Sequence, residues 1–397
     1  MFRLSPLGAL FTAQFLSAFV DNMILFVAQA ILRRDVYPDY YLPFVQSAFL
    51  ASYILLSPWV GRFADKRPKA QVLIIGNFIK LSGVLALLAG FNPAPCYALV
   101  GVGSAVYSPA KYGILPFLTQ DEHALLRANS KLESFTILAI LTGSVAGGFA
   151  SDISISGALL ISALLYGASI AVNLLIPKDP GNISIGYDNA VREFVRDTGA
   201  LMKERESHYS LIGTGSFWMA SAVLRMIIFI WVPLTLGITS SMHISLIIAV
   251  TGVGIAIGAI ITPYLISIRT YLRTLWYGFA MGLAILAFLF IHTLGPTIVA
   301  ILLVGVMGGI YIVPMNACLQ QVGHHLIGAG KTIAVQNFME NSFMFLGVGA
   351  YTLATKAGLS VSASIGATGV VFLAMVAYLW FYSRGGRKAT DQGAAPE

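Results

Sequence analysis

Charge is scarce in this chain. Only 10% of its 397 residues are Asp, Glu, Lys or Arg, against 57% hydrophobic. An ordinary soluble chain is about 25% charged. A water-soluble fold of this size needs a larger polar shell, so the composition excludes a soluble enzyme and a disordered protein. Cysteine is nearly absent, and Cys96 and Cys318 alone cannot build a disulfide scaffold. Six histidines are present, but none sits in a His-Glu-x-x-His pattern, so no metal site is expected. The basic excess, 24 − 17 = +7, is not gathered on a soluble face and is no nucleic-acid signal. Gly328-Ala329-Gly330-Lys331-Thr332 ends like a phosphate-binding loop. The first glycine of that motif belongs at position 325, which is His325, and no strand precedes it. No catalytic residue and no cofactor are expected.

What the chain does have is long apolar runs. A helix crosses about 30 Å of hydrocarbon in about 20 residues. Twelve such stretches are predicted, at 6–32, 41–60, 70–90, 96–118, 126–150, 155–176, 210–236, 244–267, 272–293, 296–320, 330–355 and 360–383. The first is too long for the apolar part of a signal peptide and carries Asp21 in its middle. Cations choose the orientation. One set of loops carries Arg62, Lys66, Arg67, Lys69, Lys178, Arg192, Arg196, Lys203, Arg205, Arg269 and Arg273, with Arg384, Arg387 and Lys388 in the tail. The alternate loops carry little beyond Arg33, Arg34 and Lys356. Both termini are therefore expected in the cytoplasm.

Residues 177–209 are the one long polar connection. Val191, Phe194, Val195, Thr198, Leu201 and Met202 have helical spacing, interleaved with Arg192, Arg196, Lys203 and Arg205. This predicts an amphipathic surface helix, with a plain solvated linker as the alternative.

The chain also repeats itself. Leu99-Val100-Gly101-Val102 recurs as Leu303-Val304-Gly305-Val306, and Tyr107 as Tyr311, at an offset of 204. Asn22–Phe26 faces Arg225–Phe229 at 203, and Pro58 faces Pro263 at 205. Three matches at nearly one offset predict an all-α membrane protein of twelve transmembrane helices in two pseudo-symmetric six-helix bundles. The bundles are 1–176 and 210–397, joined by the 177–209 linker. This is the parallel-repeat plan of the major facilitator transporters. The loop Gly61-Arg62-Phe63-Ala64-Asp65-Lys66-Arg67-Pro68-Lys69 resembles the G-x-x-x-D-[RK]-x-x-[RK] signature of that superfamily, with Pro68 in place of the usual second glycine. The resemblance implies a conformational latch of Gly61, Asp65, Lys66 and Arg67. Gly61 would let helices approach, and Asp65 would accept hydrogen bonds from a helix N-terminus. A merely solvated basic loop is the plainer alternative.

Ionisable groups inside the spans are costly and normally face a bundle interior or cavity. They are Asp21, Lys80, Lys111, Lys131, Glu133, Arg225 and Glu340. Gln14, Ser17 and Asp21 share a helical face. Asp21 and Arg225 lie at similar depth in corresponding spans, so they are expected to approach each other or share a ligand; a static ion pair is the alternative. Lys111 and Glu133 lie at equal depth and could pair. Lys80 faces the interior or snorkels, and Lys131 is read as snorkelling. Gln336, Asn337, Glu340 and Asn341 form one polar stripe, which lines a cavity or bonds two helices together. Cations beside carboxylates suit a phosphate or a ligand bearing both signs.

Several stretches are similar to the bacterial lysophospholipid transporter family. They are Ala13–Asn22, Tyr107-Ser108-Pro109-Ala110-Lys111-Tyr112-Gly113, Trp231–Thr239, Gly305–Gly309, Ala334–Asn337 and Glu340-Asn341-Ser342. The resemblance runs in order along essentially the whole chain. It implies a flippase-like carrier of lysophospholipids in the bacterial inner membrane, with cavity charges at Asp21, Lys111 and Arg225. It also implies supply to an acyltransferase/acyl-carrier-protein synthetase, expected here as a separate protein. Val20 and Met339 depart from the family's pattern. The expected binding residues are Asp21, Asn22, Lys80, Lys111, Glu133, Arg225, Gln336, Asn337 and Glu340, in a monomer. Rival readings are a proton-coupled drug or metabolite antiporter of the same superfamily, an intramembrane enzyme, and a lipid receptor without transport.

Overall fold

Local start signals set four of the helix beginnings. Ser5 accepts the Gly8 amide at 3.1 Å with Pro6 in the first turn, and Asn92 accepts Ala94 at 3.0 Å ahead of Pro93. Ser154 takes Gly157 at 3.1 Å, and Glu204 takes Ser207 at 2.7 Å. Each side chain satisfies an amide that the helix itself leaves open. The computed structural model describes residues 5–120, 122–266 and 268–391. They form α1 (Pro6–Arg34), α2 (Tyr41–Lys66), α3 (Lys69–Leu88), α4 (Pro93–Gly113), the short α5 (Leu115–Leu118), α6 (Glu122–Ile153) and α7 (Ile155–Asn173). After these come α8 (Ala190–Lys203), α9 (Arg205–Trp231), α10 (Ser241–Leu265), α11 (Thr274–Ala287), α12 (Leu294–Leu326), α13 (Ala329–Lys356) and α14 (Val361–Asp391). There is no strand among the described residues.

The twelve predicted spans fall on α1–α4, α6, α7 and α9–α14. Among the described residues, nine helices are long and apolar enough to cross a membrane, and Thr274–Phe290 is a shorter apolar one. Pro58, Pro109 and Pro314 lie inside α2, α4 and α12 without ending them, as membrane helices tolerate.

The chain forms two compact units. One comprises Met1–Val195 and Ile238–Ala249; the other comprises Arg196–Gly237 and Val250–Glu397. In the first, α1 packs on α6 and α7, α3 packs on α4 and α7, and α2 packs on α4. In the second, α9 packs on α13 and α14, and α11 packs on α12 and α14. Four of these pairings correspond one to one between the units, which is the repeat seen at the level of packing. At the end of α6 in the first unit, the Asp152 carboxylate accepts Ser240 Oγ (2.8 Å), Ser241 N (3.0 Å) and Met242 N (2.9 Å) at the start of α10.

Small residues carry the closest crossings. A Cβ on Gly254 would lie 2.6 Å from the Leu302 carbonyl, and one on Gly305 2.9 Å from Gly254 Cα. One turn on, Gly258 and Gly309 stand in the same relation, each 3.1 Å from the other's Cα. Two small-xxx-small motifs, 254/258 and 305/309, thus lie face to face.

The predicted helix of the connection is present as α8, with Leu201 buried and Phe194, Thr198 and Met202 half-buried. Val191 and Val195 are exposed. Asp197 is buried and paired at 2.9 Å with Lys331 near the start of α13.

Candidate functional site

The first unit holds a buried ion pair. Lys80, on α3, is 1% exposed and its Nζ lies 2.7 Å from Asp21 Oδ2 on α1. The same oxygen accepts Ser104 Oγ from α4 at 3.2 Å, and Oδ1 accepts the Tyr166 hydroxyl from α7 at 2.6 Å. Four helices therefore converge on one carboxylate. The Lys80 ammonium also donates to Ser17 Oγ at 2.9 Å and stands 4.8 Å from the centroid of the Tyr107 ring. From Ser17 a chain of donors continues to Asn77 Oδ1 (2.8 Å), from Asn77 Nδ2 to Ser169 Oγ (2.8 Å), and from Ser169 to the Ala13 carbonyl (2.8 Å). The chain begins at a group that can only donate and ends at one that can only accept, so every link is satisfied. Gly103 makes room for it, since a Cβ there would lie 2.8 Å from the Lys80 amide.

This arrangement resolves two expectations. Lys80 does not snorkel; it is sealed inside the unit. Asp21, expected to approach Arg225, is paired with Lys80 in this structure, because α3 presents its ammonium directly to α1. Arg225 is a half-buried residue of α9. Asn22 is half-buried and turns its amide back to the Ala18 carbonyl at 2.9 Å. Lys111 is half-buried, with its ammonium 4.8 Å from the Tyr112 ring centroid. The side chain of Glu133, its expected partner, lies outside the described residues. Lys131 is exposed.

The second unit carries the polar stripe of α13. Gln336 and Glu340 are buried. The Gln336 amide donates to Asn316 Oδ1 on α12 at 2.9 Å and to Glu340 Oε1 at 2.8 Å. The stripe therefore bonds two helices together at Gln336. Asn337 is half-buried, and its carbonyl accepts the Asn341 amide at 2.7 Å.

The expected latch is corrected in two places. A Cβ at Gly61 would meet nothing within 4 Å, so that glycine brings no helices together. Asp65 does not cap a helix: its side chain is 62% exposed, with Lys69 at 3.7 Å one turn away. The carboxylate that caps belongs to Asp179 in the connection. It is 5% exposed and accepts the Lys69 amide at 2.5 Å and Lys69 Nζ at 3.1 Å, at the first residue of α3. The basic residues of the loop engage the connection too. Arg62 pairs with Glu193 at 2.7 Å, Arg67 donates to the Tyr187 hydroxyl at 3.1 Å, and Lys66 lies 5.0 Å from the Tyr187 ring centroid. We expect Asp179→Ala to cost about 1–2 kcal/mol, as cap losses do. Asp65→Ala should stay within about 0.5 kcal/mol, as exposed changes do. Thermal unfolding of the two purified variants checks this, and equal losses would return Asp65 to the capping role.

Comparison with known proteins decides the family. The model of the Major Facilitator Superfamily matches residues 10–348. Lysophospholipid transporters LplT of Enterobacter sp. (strain 638) and Klebsiella pneumoniae are each 42% identical over 380 residues, 95% of this chain and of theirs. The chain belongs to the lysophospholipid transporters of the major facilitator superfamily. Solved structures share the fold of this transporter at low identity. A POT family transporter in complex with a thioalcohol-conjugated peptide gives a TM-score of 0.74 at 13% identity, covering 96% of both chains. A mutant of the nucleoside transporter NupG gives 0.72 at 12%, covering 95% of this chain and 98% of that one.

Several residues of these networks were not singled out from the sequence: Ser104, Tyr166, Asn77 and Ser169 around Asp21 and Lys80, and Asp179 at the start of α3. Asn77 and Lys80 lie three apart on α3, and Tyr166, Ser169 and Asn173 lie at helical spacing on α7. Polar residues at that spacing in otherwise apolar spans were the available signal. Asp179 left none, since its partner is a distant main-chain amide.

Proposed function

We propose that this chain moves lysophospholipids across the bacterial inner membrane to the cytoplasmic leaflet, for reacylation by an acyltransferase/acyl-carrier-protein synthetase. The observation that carries the reading is the 42% identity, over 95% of both chains, to transporters of that name. Movement is by alternating access, with the partly exposed charges Asp21, Lys111 and Arg225 proposed to meet the headgroup and the buried Lys80 holding Asp21 in place. The loop cations support cytoplasmic termini. A lysolipid has one acyl chain and a phosphate, and charge-assisted bonds to Arg225 and Lys111 suit the phosphate.

The test is uptake of headgroup-labelled lysophospholipid into vesicles holding the purified protein, with and without an ionophore. Movement above empty vesicles is expected; none would sink the lipid reading. Loss of movement with an ionophore would favour a proton-coupled carrier. Asp21→Asn and Arg225→Ala should each abolish uptake while the protein stays folded. Wild-type rates in both would remove those residues from the site.

A further inference from the structure

The helix α8 sorts its charged side chains by sign. Arg192, Arg196, Gly199 and Lys203 recur at i, i+4, i+7 and i+11, so they form one stripe about 16 Å long. All three cations are exposed. Both acids of the helix lie off that stripe and are engaged. Glu193 pairs with Arg62 at 2.7 Å, and the buried Asp197 pairs with Lys331 at 2.9 Å. The Arg196 guanidinium lies 3.4 Å from Asp197, yet its side chain is 69% exposed. Counted together with Arg62 and Lys331, the two acids still leave three cations in excess. The acids next in sequence are outside the helix. Asp188 precedes the left-handed turn at Asn189, Glu204 caps α9, and Glu206 belongs to α9.

A second stripe runs beside the first. Val191, Val195, Thr198 and Met202 have the same spacing. Thr198 and Met202 are half-buried, but Val191 is 46% exposed and Val195 62%. Ala190 and Leu201, further round the helix, are buried. The apolar arc of α8 thus extends past what the protein covers and ends at the cations. Apolar groups bordered by long cationic stems match the boundary between headgroups and acyl chains. The chain also enters a membrane span directly after α8. Arg205–Leu236 is long and apolar enough to cross, and Lys203 stands two residues before it, about 3 Å along a helix. That continuity favours a lipid surface over a soluble protein as what meets this face.

We propose that the outer face of α8 docks on anionic phospholipid headgroups of the leaflet beside it. Arg192, Arg196 and Lys203 meet the phosphates, and Val191 and Val195 reach the acyl boundary. The pairs that Glu193 and Asp197 make with Arg62 and Lys331 keep carboxylates away from the headgroups. The site lies apart from the residues proposed to carry substrate and does not depend on what the transporter moves.

The test places an environment-sensitive fluorophore at Gly199→Cys. A Cβ there meets nothing within 4 Å, and both native cysteines are buried, so the label goes to one position. The full-length protein is reconstituted in nanodiscs of phosphatidylcholine, with and without phosphatidylglycerol. With phosphatidylglycerol, blue-shifted emission is expected, quenched by lipids spin-labelled high on the acyl chain. The triple variant Arg192→Gln/Arg196→Gln/Lys203→Gln should lower the ratio of docked to undocked helix by on the order of a hundredfold, at about fivefold per cation. Its substitutions are all exposed, so its unfolding temperature should match wild type. Salt at about 1 M, with a screening length of about 3 Å, should weaken docking of the wild type in the same direction. Equal quenching in the two membranes would overturn the proposal, as would equal quenching of wild type and triple variant. A label that stays in water in both membranes would also overturn it and leave the face to an acidic protein.

Discussion

Lys80→Met will destabilise the first unit by about 3–5 kcal/mol, and the double variant Asp21→Asn/Lys80→Met will recover most of that stability without recovering transport. Removing the ammonium leaves a carboxylate among Ser104, Tyr166 and apolar side chains with no counter-charge. Breaking one partner out of a buried pair costs that much because the remaining charge is uncompensated, whereas removing both charges is often close to neutral. The loss corresponds to a fall in unfolding temperature on the order of 10 °C for a unit of this size. Thermal unfolding of detergent-purified single and double variants measures it. If Lys80→Met unfolds with the wild type, the pair contributes nothing to the fold. If the double variant transports normally, the charge on Asp21 is irrelevant to function and the proposed site loses its centre.

Gly309→Leu will prevent the second unit from assembling, and Gly349→Leu will be tolerated. At position 309 a Cβ would lie 3.1 Å from Gly258 Cα and closer still to the Ile255 carbonyl, so main chain, not a flexible side chain, has to move. At position 349 a Cβ meets nothing within 4 Å. Helix association in lipid rests largely on close backbone packing, so a leucine at the first position separates α10 from α12. The readout is the yield of monodisperse protein on fluorescence-detected size exclusion. Equal yields for the two variants would show that the 254/258–305/309 crossing is dispensable.

The fold was largely legible because the membrane imposes it. Span length is dictated by hydrocarbon thickness, and the predicted starts of α1 and α2, at 6 and 41, coincide with Pro6 and Tyr41. Position along a helix was legible as well, which is why Asp21, Lys80 and Glu340 were among the charges placed inside the spans; Lys80 and Glu340 are buried and Asp21 is half-buried. Rotation about each helix and the identity of neighbours were not. Which helix α3 presents Lys80 to depends on the crossing allowed by Gly76 and Gly103, a property of two backbones together. For that reason Asp21 was matched by depth with Arg225, while its partner in the fold sits on α3. The latch motif misled in the same way. Its spacing suggested a capping acid at Asp65, but an amide at a helix start can be reached by any nearby carboxylate, and Asp179 in the connection reaches it.

The neutrality of the Asp21–Lys80 pair bears on how the transporter responds to voltage. A transmembrane potential does work on net charge, about 2.3 kcal/mol per elementary charge per 100 mV. Two opposite charges 2.7 Å apart and moving together present almost none. The most deeply buried ionic site of the first unit is thus nearly invisible to the electric field of the cell. Any sensitivity of the transport step to membrane potential has to enter elsewhere, through Lys111, Arg225, Glu340, a coupled ion or the charge of the headgroup.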